Sequence, residues 1–231
     1  GFLWEAGMVP FVQFPIAGVI WYQGESNAES NWRVAQHEAL LTLLIRDWRE
    51  QFQIKNLPFL FVQLPGMKRP HWVAFRESQQ KVHDSVTNTG MAITIDLGNP
   101  DDVHPKRKQP VGERLARVAL DRVYRKRIMS QGPILRSKRI RDAKLELRFG
   151  HAGKGLKTKN GSPPVGFELM DENGVWHSAR AKIVRANQII LSHPHVKNPM
   201  SVRYGWAPYP EPVLNLYNSA DLPMAPFMDH E

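Results

Sequence analysis

Three short apolar runs, each followed by a segment with helical spacing, constrain the fold of this chain most. Residues 17–22 (AGVIWY), 59–64 (FLFVQL) and 91–96 (MAITID) are rich in β-branched and aromatic side chains, the composition of buried strands. Apolar residues then recur at three- and four-residue intervals: Val34, Leu41, Leu44, Ile45, Trp48 and Phe52 from about Asn31, residues 73–86, and finally Val111, Leu115, Val118 and Ala119. Such alternation demands parallel strands joined by right-handed crossovers, with helices covering the sheet. The pattern predicts an α/β fold built on a parallel sheet. Three strands are few for this class and would leave an apolar edge and face uncovered. Further material upstream of Gly1 is therefore expected, and the chain reads as a fragment or a processed product.

From about Gly132 the texture changes. Residues 143–149 alternate polar and apolar side chains, the period of a half-buried strand. Residues 165–170, 179–184, 189–191 and 201–206 are further short candidates, separated by Gly, Pro, Asn and Asp. Evenly spaced strands without helices predict an all-β sandwich or jelly roll. The boundary is placed near residues 130–133, giving an α/β domain at 1–130 and a β-sandwich domain at 131–231.

Composition narrows the chemistry. The chain contains no Cys, which excludes a thiol nucleophile, a disulfide framework and thiolate zinc sites. A net charge of +9 raises nucleic-acid binding. The cations bunch at residues 106–108, 122–127 and 136–141 without an aromatic-rich strand motif or finger spacing beside them. A solvated basic surface is the expectation, with no nucleic-acid partner. No apolar run approaches the length of a bilayer span.

In open parallel sheets, functional groups gather in loops at the carboxyl ends of the strands. Two such loops are suited to chemistry. The later one reads Asn99-Pro100-Asp101-Asp102-Val103-His104-Pro105. A carboxylate two or three residues before a His can fold back to accept from Nδ1–H. That leaves Nε2 free to take a proton from a hydroxyl. The earlier loop, Gln23-Gly24-Glu25-Ser26-Asn27, follows a strand and precedes a helix. Gly-x-Ser in that setting resembles a nucleophile elbow, but Ala28 stands where a second Gly is usual. Ser26, Asn27 and Ser30 are equally suited to cap the following helix, so Ser26 stays open as an alternative nucleophile. His193 and His195 form a His-x-His pair with no third ligand nearby in sequence, so no metal or other cofactor is expected.

The string Gly18-Val19-Ile20-Trp21-Tyr22-Gln23-Gly24-Glu25-Ser26-Asn27, with the later Asp101-Asp102-Val103-His104-Pro105-Lys106, closely resembles the sialate O-acetylesterases of the SGNH-hydrolase superfamily. The likeness extends to Val202-Arg203-Tyr204-Gly205-Trp206, Asn215-Leu216-Tyr217-Asn218 and Leu222-Pro223-Met224-Ala225-Pro226-Phe227, and so covers nearly the whole chain. The resemblance implies that the parallel sheet is part of a three-layer α/β/α, flavodoxin-like domain, and that the enzyme is an esterase removing acetyl groups from O-acetylated sugars, sialic acid or related glycans, by a serine-hydrolase mechanism. It implies that Gln23 donates to the oxyanion, with the Gly24 N–H, while Glu25 and Ser26 hold the loop. His104 becomes the general base, steered by Asp101, with Asp102 as rival. In the family the nucleophilic Ser lies in an earlier Gly-Gln-Ser-Asn type motif that this sequence lacks. An N-terminal part of the same enzyme is therefore the expected partner, and this chain alone is expected to be nearly inactive. The resemblance also implies a periplasmic, secreted or lysosomal setting, which the sequence leaves open. A different class of function is a non-catalytic carbohydrate-binding or assembly protein, in which Trp176, Tyr204, Trp206 and Tyr209 would stack on sugars rather than fill a core.

Overall fold

The computed structural model describes residues 1–229. Helix α1 (Phe2–Gly7), absent from the sequence reading, precedes strand β1 (Val19–Trp21). Then come helix α2 (Asn31–Gln51), strand β2 (Phe59–Val62), helix α3 (Trp72–Ser85), strand β3 (Thr89–Ala92) and helix α4 (Gln109–Arg122). The three strands pair in the order β1-β2-β3, and both ladders are parallel.

Alternation along the strands builds the layers. Val19, Phe59, Phe61 and Met91 face one side and pack with Leu41 and Ile45 of α2 and Val82 of α3. On the other side, α4 lies over β2 and β3, where Val62 packs with Val111 and half-buried Leu115. Helix α4 comes so close to β3 that a Cβ at Gly90 would lie 2.4 Å from the Val118 side chain and 2.9 Å from that of Leu60. Strand β1 is outside this cover. Its Ile20 is 68% exposed, and its outer edge pairs with no strand among the described residues.

Strand β3 ends earlier than the run 91–96 suggests. The β-branched segment leaves the ladder after Ala92 and tightens into a 3₁₀ turn, Ile95–Leu97. Side chains from neighbouring elements draw it off: Arg114 donates to the Ile93 carbonyl at 2.7 Å, and Thr94 donates to the Gln63 carbonyl at 2.6 Å.

The second half is all β. The strands are β4 (Ile134–Arg141), β5 (Lys144–Gly150), β6 (Lys157–Thr158), β7 (Phe167–Met170), β8 (Trp176–Ser178), β9 (Arg180–Arg185), β10 (Gln188–Ser192), β11 (Ser201–Tyr204), β12 (Leu216–Tyr217) and β13 (Phe227–Met228). They form two four-stranded antiparallel sheets, β4-β5-β10-β9 and β13-β11-β7-β8, and a small β12-β6 ribbon. Leu147, Phe149 and Ile189 from the first sheet meet Phe167, Leu169, Val202 and Tyr204 from the second in one core. Strand β4 was not legible as a strand because its cations mask the alternation. It is an exposed edge, where such charge discourages pairing with another chain.

Beneath the carboxyl ends of the parallel strands sits a buried histidine. His37 of α2 lies against Phe75 of α3, with ring centroids 4.1 Å apart. The Ser78 hydroxyl donates to the Phe75 carbonyl and contacts His37 Nδ1 at 2.7 Å. That hydroxyl is therefore left to accept from Nδ1–H, which fixes the neutral tautomer. Burial pushes the His37 imidazole down to about 4.

Two outcomes follow from this packing. Gly90→Ala is expected to lose about 1–3 kcal/mol by overpacking. Gly112→Ala, on the open face of α4 where an added methyl meets nothing within 4 Å, is expected to gain about 0.5–1 kcal/mol. Urea midpoints of the two variants should move in opposite directions. The second concerns pH. The folded His37 value lies below the unfolded one, so the unfolded chain binds the extra proton between them. Its contribution, on the order of 3 kcal/mol, is complete above about pH 6.5 and drains away as pH falls toward 4. His37→Leu should flatten the fall of the urea midpoint across that window, leaving the slope from His83, His151 and His193, which burial pushes the same way.

Candidate active site

Parallel pairing sends the chain out of β1, β2 and β3 on the same side, so the Gln23 turn and the His104 loop share one end of the sheet. The turn after β1 is set by its glycine. Gly24 has φ +145°, and a Cβ there would be driven into the ring of Phe75, which is fully buried on α3. Only glycine satisfies both demands. The turn closes with the Ala28 N–H donating to the Gly24 carbonyl at 3.0 Å, and Ala28 is fully buried. Gln23 is exposed, and its amide Nε2 donates to Asn27 Oδ1 at 2.6 Å. The Arg33 guanidinium donates to the Ser26 carbonyl at 3.0 Å, while Glu29 receives both Arg33 and Arg69. Glu25 is half-buried, and its charge joins burial in pushing the Tyr22 phenol up to about 12. The Tyr22 hydroxyl is buried without a hydrogen-bond partner among the described residues.

The capping expectation is corrected here. Ser26 and Ser30 stand at the N-caps of the 3₁₀ turn and of α2, yet neither makes a side-chain cap hydrogen bond. Asn27 spends its oxygen on Gln23 instead. Ser26 is exposed, and among the described residues no hydrogen bond joins its hydroxyl to an imidazole.

The His104 loop is built from two consecutive side-chain-to-backbone turns. Asn99 Oδ1 accepts the Asp101 N–H at 3.0 Å, and Asp102 Oδ1 accepts the His104 N–H at 2.8 Å. The same Asp102 oxygen lies 3.6 Å from His104 Nδ1, within ion-pair range but longer than a hydrogen bond. The structure thus turns Asp102 toward the ring. Asp101 is exposed, its recorded bond being the one from its backbone to Asn99. The His104 side chain is 86% exposed.

Packing joins the two loops one residue away from each candidate group. Tyr22, before Gln23, and Val103, before His104, both pack on the cluster of Ala28, Trp72 and Phe75. Lys108 Nζ lies 5.0 Å from the centroid of the Tyr22 ring. Gln23 and His104 share no hydrogen bond among the described residues.

Other candidates resolve differently. Tyr204 is wholly buried between Phe167 and Phe227 and fills the β core. Tyr209 is packed against Gly66, and Arg203 covers a face of Trp176 at 4.3 Å. Trp206 lines a cavity of about 620 Å³ between the two halves, beside Gln63, Arg76 and Ile93. This cavity contains neither Gln23 nor His104. The His193–His195 pair gains neighbours invisible in sequence. His177 stacks on His193 at 4.8 Å and contacts Asp171 at 2.8 Å, while no group of side chains among the described residues is arranged to hold a metal. No helix among them is long and apolar enough to cross a membrane.

Sequence reasoning missed a buried trio beneath the His104 loop. Arg114 forms a bidentate pair with Asp96 at 2.6 and 2.7 Å, and the Tyr217 hydroxyl donates to Asp96 Oδ2 at 2.8 Å. Burial alone would raise the Asp96 carboxyl, but the bonds and charge of Arg114, with the Tyr217 bond, hold it below its usual range. A signal existed: Arg114 occupies a core position in the stripe Val111, Leu115 and Val118.

The chain has relatives among known proteins. Residues 7–121 match the family model described as carbohydrate esterase, sialic acid-specific acetylesterase. The chain is 27% identical to the sialate O-acetylesterase of Mus musculus over 263 residues, covering 98% of this chain and 46% of that protein. It is likewise 27% identical to the Homo sapiens sialate O-acetylesterase, covering 98% of this chain and 48% of the relative. The chain thus spans about half the length of these curated relatives. The crystal structure of a carbohydrate acetylesterase from Xanthomonas citri superposes with a TM-score of 0.87 at 35% identity, covering 96% of this chain and 52% of that one. With the parallel sheet, the glycine-set turn after β1 and the Asp–His loop all falling within the matched residues, this chain belongs to the sialic acid-specific acetylesterase family of carbohydrate esterases.

Proposed function

We propose that this chain supplies the proton-transfer and oxyanion-binding groups of a carbohydrate O-acetylesterase, acting on O-acetylated sialic acid or a related glycan, with the serine nucleophile brought by another segment. The observation that carries this reading is the Asp102–His104 pair at the same end of the sheet as the Gln23–Gly24 turn. Asp102, facing Nδ1, orients the imidazole and leaves Nε2 toward the substrate. Nε2 takes the proton as the serine oxygen attacks the acetyl carbonyl. The Gln23 amide and the Gly24 N–H donate to the oxyanion of the tetrahedral intermediate. Collapse breaks the bond to the sugar oxygen, which receives the proton from His104 and leaves. Water, deprotonated by the same nitrogen, then releases acetate and restores the serine. Glu25 and Ser26 hold the turn, and Asp101 is the rival orienting carboxylate.

The free edge of β1 suits the arrival of the nucleophile segment. It is a parallel edge with exposed Ile20 on its open face, and exposed Leu40 and Leu43 lie on the neighbouring α2. A strand added there would end beside the Gln23 turn. This reading divides the chain near residues 130–133, with the esterase part before and the β-rich part after.

In the enzyme assembled with that segment, His104→Ala should lower kcat on an acetylated sialic acid by at least about 10³-fold. Gln23→Ala should lower it by about 10²–10³-fold. Asp102→Asn should cost far more than Asp101→Asn. Unchanged turnover in His104→Ala would sink the mechanism. A serine-reactive phosphonate labelling Ser26 of this chain would instead make Ser26 the nucleophile.

A further inference from the structure

We propose that Asp96 and Tyr217 are positioning residues through which the β-rich half holds the His104 loop in its working geometry. This inference rests on the reading of His104 as the general base.

Asp96 sits in the 3₁₀ turn that starts the loop, eight residues before His104, and its side chain is 3% exposed. One side of its carboxylate is gripped by Arg114 of α4, which also donates to the Ile93 carbonyl. The other grip comes from the far half of the chain, where Tyr217 of β12 donates its hydroxyl. Burying an Asp–Arg pair seldom adds stability over apolar packing of the same shape. A fully satisfied buried network does restrict its members to a single arrangement. Here the restricted element is the root of the His104 loop.

A second set of contacts holds the same loop from above. The Pro208 carbonyl accepts from the Met67 N–H and from Arg76 Nη1, both at 3.0 Å, and Lys68 pairs with Glu211 at 3.1 Å. The Lys68 N–H in turn donates to the Pro100 carbonyl at 3.0 Å. Gly98 is pressed against Gly66 so tightly that a Cβ would enter the Gly66 backbone, and Gly66 backs onto the Tyr209 ring. The β-rich half therefore reaches residues 96–100 along two routes, one through Tyr217 and one through residues 207–211 and 66–68.

Tyr217→Phe removes one oxygen and keeps the ring, so it tests the grip without emptying the site. Hydrogen exchange of this chain, read by mass spectrometry, should show residues 97–108 opening about tenfold faster than wild type, with β5 and β10 unchanged. In the assembled esterase, kcat should fall about tenfold at unchanged KM. Phe167→Leu, which loosens the β core at a distance, should speed exchange in that core without the selective change in the loop. Exchange over 97–108 equal to wild type in Tyr217→Phe would overturn the proposal, as would faster exchange with kcat intact. Insensitivity of turnover to His104→Ala would overturn the esterase reading and this role with it. That result is distinguishable because the exchange measurement needs no turnover.

Discussion

The parallel hydrogen bonding of β1 to β2 and of β2 to β3 is the constraint on which the remaining architecture depends. Parallel ladders force each connection to return across a face of the sheet, which is why α2 and α3 cover one side and α4 the other. They also deliver the three strand exits to a common rim, so residues far apart in sequence meet there. The candidate groups sit on this rim in short turns, and the turns are shaped by what lies directly below them: the Phe75 ring under Gly24, and the apolar cluster that takes in Val103.

The charges inside the molecule fall into two kinds. Arg114 is neutralised by a carboxylate that it grips with two hydrogen bonds. Arg76, more deeply buried, bonds through its side chain to the carbonyls of Ala207 and Pro208 among the described residues, and burial pushes its guanidinium down to about 9. Both arginines sit on helices of the α/β half and face the β-rich half. The buried bonds of the junction run to backbone carbonyls and a phenol, and the exposed Lys68–Glu211 pair lies at its surface. A junction of that sort fixes orientation more than it adds cohesion.

Much of this was readable from the chain alone. Helices α2, α3 and α4 began and ended within about three residues of their apolar stripes, because one-sided burial imposes the 3.6-residue period wherever a helix lies on a sheet. Strand β4 escaped notice since cations at an exposed edge erase the two-residue pattern. Helix α1 escaped because it is six residues long and buries no side chain. The end of β3 was misjudged for another reason: Ile93 and Thr94 have strand propensity, but Arg114 and the Gln63 carbonyl bend them away. Within the site, the sequence named the Gln23 turn and the His104 loop. Local spacing could not say which carboxylate faces the imidazole, since Asp101 and Asp102 differ only in the direction that the Asn99 turn gives them. The Tyr217 contact, linking positions 121 residues apart, has no local signature at all.

The abutting glycines at positions 66 and 98 have a consequence for how this surface can drift over time. Gly98 cannot acquire even a methyl group without prising its backbone away from that of Gly66, although it has no reactive group to offer. His104, in contrast, projects into solvent, where almost any side chain would fit sterically. Shape and, on the proposed reading, reactivity are thus guarded by different residues: folding censors substitution at Gly98, whereas under that proposal turnover alone would censor it at His104.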